Sequence, residues 1–234
     1  MRKKLGIIGG MGPWATSYIF EKIINAIDAD TDQDHIHTFI DNNTEIPDRT
    51  KAITEGTTSP VTEINRSIEK LEQCGASVFI LPCNTSHYFF ESFKCSKSSI
   101  IINIIDVTVK ACMNTDKSGT FCILATDGTI YSELYQKCFD SYKLNYTVPD
   151  KDFQQVIMDM IYKVIKNGSD LNRLDGLTEF FELQIKKGVG YFVLGCTELS
   201  MLMLRPAFKK YKMIDSSLEL AKSSIIECGY PLKD

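Results

Sequence analysis

Little in these 234 residues suits a nucleic-acid partner. Lys and Arg number 26 against 30 Asp and Glu, a formal charge of −4, and the lysines are scattered rather than gathered into a stripe that would neutralise phosphates. No apolar run approaches the roughly 18 residues of a membrane span. The basic start Met1–Lys4 precedes only a short apolar run, then Gly9-Gly10 and Pro13; it reads as the approach to a first strand, not as a secretion signal. Histidines number three, and the eight cysteines (74, 83, 95, 112, 122, 138, 196 and 228) are never at C-x-x-C spacing, so no metal site is expected. Without a secretory context no disulfide framework is expected either. Reduced thiols in a cytoplasmic protein are the default, most of them small apolar core residues. No low-complexity linker or break in composition divides the chain.

What is present is an ordinary globular composition, 44% hydrophobic and 24% charged, long enough for one large domain or two small ones. Strand-like runs at 5–9, 36–41, 77–82, 100–105, 120–125, 191–195 and 211–214 alternate with helical patterns at Pro13–Asp28, Pro60–Cys74, Asp152–Lys166 and Leu174–Lys187. Pro13 and Pro60 suit first-turn positions, and Gly75, Gly168 and Gly188 suit helix ends. This alternation predicts an α/β fold with parallel sheets and right-handed crossovers.

An internal echo refines that expectation. "LGIIGGMGPWATSYI" (5–19) overlays "FCILATDGTIYSELY" (121–135), "FILPCNTS" (79–86) overlays "FVLGCTEL" (192–199), and "NIIDVTVKAC" (103–112) overlays "KMIDSSLELA" (212–221). The three matches keep their order, pairing Gly12 with Gly128, Cys83 with Cys196 and Asp106 with Asp215. Two similar doubly wound halves related by a pseudo-two-fold axis are therefore expected: residues 1–105 plus 214–234, and residues 106–213. Loops after parallel strands gather at the carboxyl edge of a sheet, where ligands bind. Both glycine turns and both echoed cysteines sit on such loops, so Cys83 and Cys196 are expected to approach one cleft from opposite sides.

Inverting a stereocentre without a cofactor requires a base on one face and an acid on the other. A thiolate can remove an α-proton while a facing thiol returns one, and a cysteine where a strand enters a helix gains support for its thiolate from the helix dipole. Asn84, Thr85 and Thr197 follow the cysteines directly and offer donors for an α-carboxylate and for the charge that develops as the α-proton leaves. Arg49 in "IPDRT" can grip a carboxylate through two parallel hydrogen bonds, unless it is only a surface ion pair with Asp48 or Glu45.

"GIIGGMGP" (6–13), "IPDRT" (46–50), "LPCNTSH" (81–87), "ATDGT" (125–129) and "LGCTEL" (194–199) together resemble the signatures of the aspartate/glutamate racemase family, in its aspartate racemase branch, almost end to end. That resemblance implies a cofactor-independent, usually homodimeric isomerase with two similar α/β domains, acting on an acidic amino acid, with Cys83 and Cys196 as acid and base. It puts Arg49 and Lys166 on the substrate (Lys163 is the fallback), with Thr129 and the backbone of Met11 as further contacts. His87 and Glu198 are left outside the catalytic set, and Trp14 and Tyr18 are assigned to core or interface. Glutamate racemases resemble a pattern with Asp-Ser-Gly in the first turn and Cys-Thr-His in the second cysteine motif. Gly9-Gly10-Met11 and Cys196-Thr197-Glu198 stand here instead, favouring aspartate over glutamate or broad specificity.

Two other readings stay open at this stage. Gly10-x-Gly12-x-x-Ala15 fits a dinucleotide fingerprint and would make the protein an NAD-dependent oxidoreductase, with Asp41 the nearest ribose-binding acid. The same cleft without proton transfer would make it a non-catalytic amino-acid-binding module.

Overall fold

A computed structural model describes residues 2–165 and 176–233; Lys166 and Gly168 lie outside the described residues. Strands β1 (Leu5–Gly9), β2 (Thr38–Asn42), β3 (Val78–Ile80) and β4 (Ile100–Ile101) form one parallel sheet in the order β2-β1-β3-β4. Strands β5 (Thr120–Leu124), β6 (Asn145–Thr147), β7 (Tyr191–Leu194) and β8 (Met213–Asp215) form a second in the order β6-β5-β7-β8. The two orders are the same, as the sequence echo requires. The inner strands are near-continuous apolar runs because helices cover both faces, whereas β2, β4 and β6 at the edges are half-exposed.

The pleat sorts side chains into three cores. Leu5, Ile7, Val78, Ile80, Phe121, Ile123 and Val193 point into one shared by both sheets. Ile8, Phe79 and Leu81 point the other way, into an outer core of the first sheet, and Cys122, Phe192 and Leu194 into that of the second. Helices α1 (Pro13–Ala26), α2 (Arg49–Thr54), α3 (Val61–Gln73), α4 (Ile104–Thr115), α5 (Asp127–Tyr131), α6 (Leu134–Tyr142), α7 (Lys151–Asp159), α8 (Leu177–Lys186) and α9 (Ser216–Glu227) supply the layers. In α3, Ile64, Ser67, Ile68 and Leu71 are buried at helical spacing. Helix α9 follows the last strand of the second sheet but packs on α1 and α4.

Several boundaries differ from the sequence expectation for identifiable reasons. Strand β6 escapes it, being three residues on a half-exposed edge. The run at 100–105 is strand only over Ile100–Ile101, because the Asn103 side chain accepts from the backbone N–H of Ile105 and Asp106 and starts α4. Asp215 plays the same part for α9 through Ser217 N–H. The structural partner of Asp215 is thus Asn103, three residues before the expected Asp106, which is instead exposed enough to pair with Lys110 at 2.7 Å. Helix α7 turns into a π-helical stretch at Met160–Ile165, and Pro60 caps α3 from outside its first turn. The loops after the cysteines are 3₁₀ helices, Thr85–Ser92 and Thr197–Leu204, not α-helices.

The first glycine turn is sterically obligatory. Gly10 has φ +89°, and a Cβ there would stand 2.2 Å from the Asn43 carbonyl oxygen. Gly10→Ala is expected to cost on the order of 3 kcal/mol, the sum of left-handed backbone strain and an unrelieved backbone clash; urea unfolding at neutral pH measures it.

Candidate active site

The carboxyl ends of β3 and β7 bring the two cysteine loops to one cavity. Met11, Arg49, Thr50, Cys83, Asn84, Thr85, Thr126, Tyr162, Cys196, Thr197 and Glu198 line it, and at about 10 Å³ it has room for about one water. Cys83 and Cys196 are each 6% exposed. Elsewhere, burial pushes the thiols of Cys112, Cys122 and Cys228 up to about 12, and that of the half-buried Cys138 to about 11. Those are core residues, as expected, and all eight cysteines are free.

Arg49 opens α2, whose N-cap is Asp48, accepting from Lys51 N–H at 2.8 Å. It is not a surface residue but 8% exposed. Nη2 donates to the Met11 carbonyl at 2.9 Å, Nη1 to the carbonyls of Pro47 at 3.1 Å and Ile46 at 3.4 Å, and Nε has no hydrogen-bond partner among the described residues. Burial disfavours the charged guanidinium, but the Cys83 sulfur and the Asp48 carboxylate facing it more than offset this, so Arg49 remains a cation. Across the cavity the Cys196 thiol donates to Glu198 Oε2 at 3.1 Å, and the Thr197 hydroxyl lies 3.2 Å from the same oxygen and 3.1 Å from the Pro82 carbonyl. One sulfur therefore faces a cation and the other a carboxylate.

Hydrogen bonds, most of them between the halves, hold the lining residues. Thr85 Oγ1 lies 2.9 Å from Thr126 Oγ1 and 3.0 Å from Thr129 Oγ1. Asn84 donates to Ser216 at 3.1 Å and accepts from Tyr135 at 2.7 Å. The Tyr162 hydroxyl reaches from the second half to Asp48 Oδ2 at 3.3 Å and Thr50 Oγ1 at 3.4 Å.

Of the residues singled out in the sequence, Met11, Arg49, Cys83, Asn84, Thr85, Cys196 and Thr197 come together around the cavity. Thr129 does not line it; it stands behind Thr85 and Thr126, and Thr126, the N-cap of α5, takes the place on the cavity wall. The N-cap place of Thr126 in "ATDGT" is the local signal that marks it. Lys166 lies outside the described residues, and Lys163 is exposed and paired with Asp159 at 2.9 Å. Thr50, Tyr162 and Glu198 were not in the expected set.

The dinucleotide turn is committed elsewhere. Gly10 N–H donates to Thr16 Oγ1 at 3.0 Å, and a Cβ on Gly12, at the start of α1, would stand 3.7 Å from Glu198 Oε1, so a carboxylate occupies the neighbourhood a pyrophosphate would need. Asp41 is paired with Lys70 at 3.7 Å. Among the described residues no three His, Cys, Asp or Glu side chains could hold a metal, and no helix is long and apolar enough to cross a membrane.

Paired parallel-sheet halves with a cysteine from each on one polar cavity define an α/β enzyme of the two-half racemase type. The chain belongs to the Asp/Glu/hydantoin racemase family, whose model it matches over residues 8–223. It is 33% identical to the aspartate racemase of Picrophilus torridus, with a TM-score of 0.84 over 98% of this chain and 96% of that one. It is also 27% identical to the broad specificity amino-acid racemase RacX of Bacillus subtilis (strain 168), over 94% of this chain and 96% of its relative. The fold extends to glutamate racemase isoform RacE1 of Bacillus anthracis, at 20% identity and a TM-score of 0.63 over 97% and 83% of the two chains.

His87 is a structural residue of this site. It is fully buried, with Nδ1 3.0 Å from the Cys83 carbonyl and Nε2 accepting from Ile104 N–H at 3.3 Å, which makes Nδ1 the protonated nitrogen. Burial lowers its pKa from 6.5 to about 4. Between those pH values the unfolded chain takes up a proton that native His87 refuses, so stability falls as pH drops from 6.5 towards 4, by about 3 kcal/mol in all. His87→Asn, which keeps a donor near the Cys83 carbonyl, is expected to unfold more easily at pH 7.5. It should also lose this part of the acid slope, read as the difference between wild-type and variant urea midpoints across pH 4.5–7.5.

Proposed function

We propose that the protein interconverts L- and D-aspartate by two-base proton transfer at Cα, without a cofactor. The observation that carries this is the pair Cys83 and Cys196, delivered by equivalent strand ends of the two halves to one cavity that also holds a buried guanidinium. In one direction Cys83, with Arg49 as counter-charge, removes the α-proton, while Cys196, whose S–H is anchored on Glu198, protonates the opposite face; the reverse reaction exchanges the roles. Arg49 takes the substrate's side-chain carboxylate, where the unmatched Nε adds a donor. The neutral donors Asn84, Thr85, Thr126 and Thr197 take the α-carboxylate and the charge that builds beside it. By the resemblance Lys166 is a second substrate cation.

A broader substrate range is the second reading, supported by the likeness to the broad specificity racemase. The enzyme is further proposed to work as a homodimer in the cytoplasm, with its thiols reduced; light scattering tests the dimer.

Chiral chromatography of L- and D-aspartate, glutamate and neutral amino acids incubated without added cofactor separates these readings. Fastest turnover is expected with aspartate; turnover of neutral amino acids at a comparable rate would favour the broad reading, and no turnover of any would overturn racemisation. Cys83→Ala and Cys196→Ala should each reduce racemisation by about a thousandfold or more, and retention of activity by both would refute the two-thiol mechanism. Arg49→Lys, which loses the planar fork, should raise the KM for aspartate by about tenfold or more, checked by initial rates.

A further inference from the structure

We propose that Tyr135, which does not itself line the cavity, is the positioning residue that holds both cysteine loops in register for the reaction proposed above. Tyr135 lies on α6 and is completely buried. Burial raises its hydroxyl well above the usual phenol range, so it stays a donor at any working pH. That donor points to Asn84 Oδ1 at 2.7 Å, one residue past Cys83. The ring of the same side chain lies beneath the other loop: a Cβ on Gly195, one residue before Cys196, would stand 2.8 Å from Tyr135 Cε2. One rigid side chain therefore contacts the immediate neighbour of each cysteine.

The hydroxyl also decides which way the Asn84 amide faces. With Oδ1 accepting from Tyr135, Nδ2 must turn to Ser216 Oγ at 3.1 Å, which in turn donates to the Leu194 carbonyl at 2.7 Å. Of the two Nδ2 hydrogens one is held by Ser216. The second has no acceptor among the described residues, and Asn84 lines the cavity. Reversing the amide would present an oxygen to an incoming carboxylate. Tyr135 thus fixes a donor, not an acceptor, at that wall.

Tyr135→Phe tests this, because Phe keeps the ring under Gly195 and removes only the hydroxyl. The KM for aspartate is expected to rise about fivefold or more, whereas a purely structural loss of active protein would lower kcat and leave KM alone. In an Asn84→Ala background the same change should have no further effect, within twofold. A KM within twofold of wild type, or an equal loss in both backgrounds, overturns the proposal. Should Tyr135→Phe not fold, Ser216→Ala frees the other end of the same amide and must give the same rise in KM.

A readout independent of turnover separates this proposal from the racemase assignment. Iodoacetamide labelling, mapped by mass spectrometry, should show the ratio of Cys83 to Cys196 rates shifted about threefold or more by Tyr135→Phe. Tyr142→Phe, on the same helix but bonded to Asp106 at 2.9 Å, should leave that ratio unchanged. A shifted ratio in a protein that racemises nothing would sink the enzyme assignment and keep the strut; an unchanged ratio would sink the strut.

Discussion

The structure depends on tying together two loops that no shared sheet connects. Each sheet delivers one cysteine to its carboxyl edge, but nothing in the hydrogen bonding of either sheet fixes one edge against the other. That registration comes from polar contacts between the halves, made where Asn84, Thr85 and Thr197 meet Tyr135, Thr126, Thr129 and the Pro82 carbonyl. These groups are buried, so breaking any one leaves an unpaired donor or acceptor away from water. Such bonds contribute less through their net strength than through the cost of every alternative arrangement. The shared apolar core behind them supplies the cohesion, and being non-directional it leaves the alignment to the polar groups.

How much of this was legible beforehand follows from the range of each interaction. Alternation of apolar runs with helical patterns exposed the sheets, because burial on both faces leaves a mark within five residues. The cysteine motifs were legible because each sits directly after a buried strand, and position after a strand already implies the carboxyl edge. Asn103 and Asp106 were harder to tell apart: both are acceptors near a helix start, and only cap geometry, with ψ in the extended range at Asn103, separates them. Thr126 and Thr129 pose the same difficulty three residues apart, since one caps and faces the cavity while the other backs it. Tyr135 and Tyr162 left no trace in the sequence. Their partners are 51 and 114 residues away, and a tyrosine in an amphipathic helix looks like core until its hydroxyl is located.

The repeat explains both the symmetry of the site and where the symmetry stops. Equivalent strand ends place the two sulfurs, but the residues around them have diverged to suit different neighbours. Before the first cysteine stands Pro82, whose carbonyl accepts from Thr197 across the cleft; before the second stands Gly195, bare because the Tyr135 ring fills the space a Cβ would need. After the first comes Asn84, tethered at both ends of its amide; after the second comes Thr197, and then Glu198. Ser86 and His87 both bond the Cys83 carbonyl, at 2.7 and 3.0 Å, fixing that loop from behind.

This divergence suits the proposed chemistry better than strict symmetry would. Moving one proton onto a carbon and another off it needs one sulfur charged and one protonated at the moment the substrate arrives. Two identical pockets would hold both sulfurs in the same state and leave half of the work to chance. Here Arg49 faces Cys83 while the Cys196 S–H is held by Glu198, so the two sulfurs meet surroundings of opposite sign. In the proposed reaction each turnover reverses which sulfur carries the proton. What the proposed reaction would draw on is therefore this difference in surroundings, one guanidinium and one carboxylate fixed on opposite walls of a cavity with room for about one water.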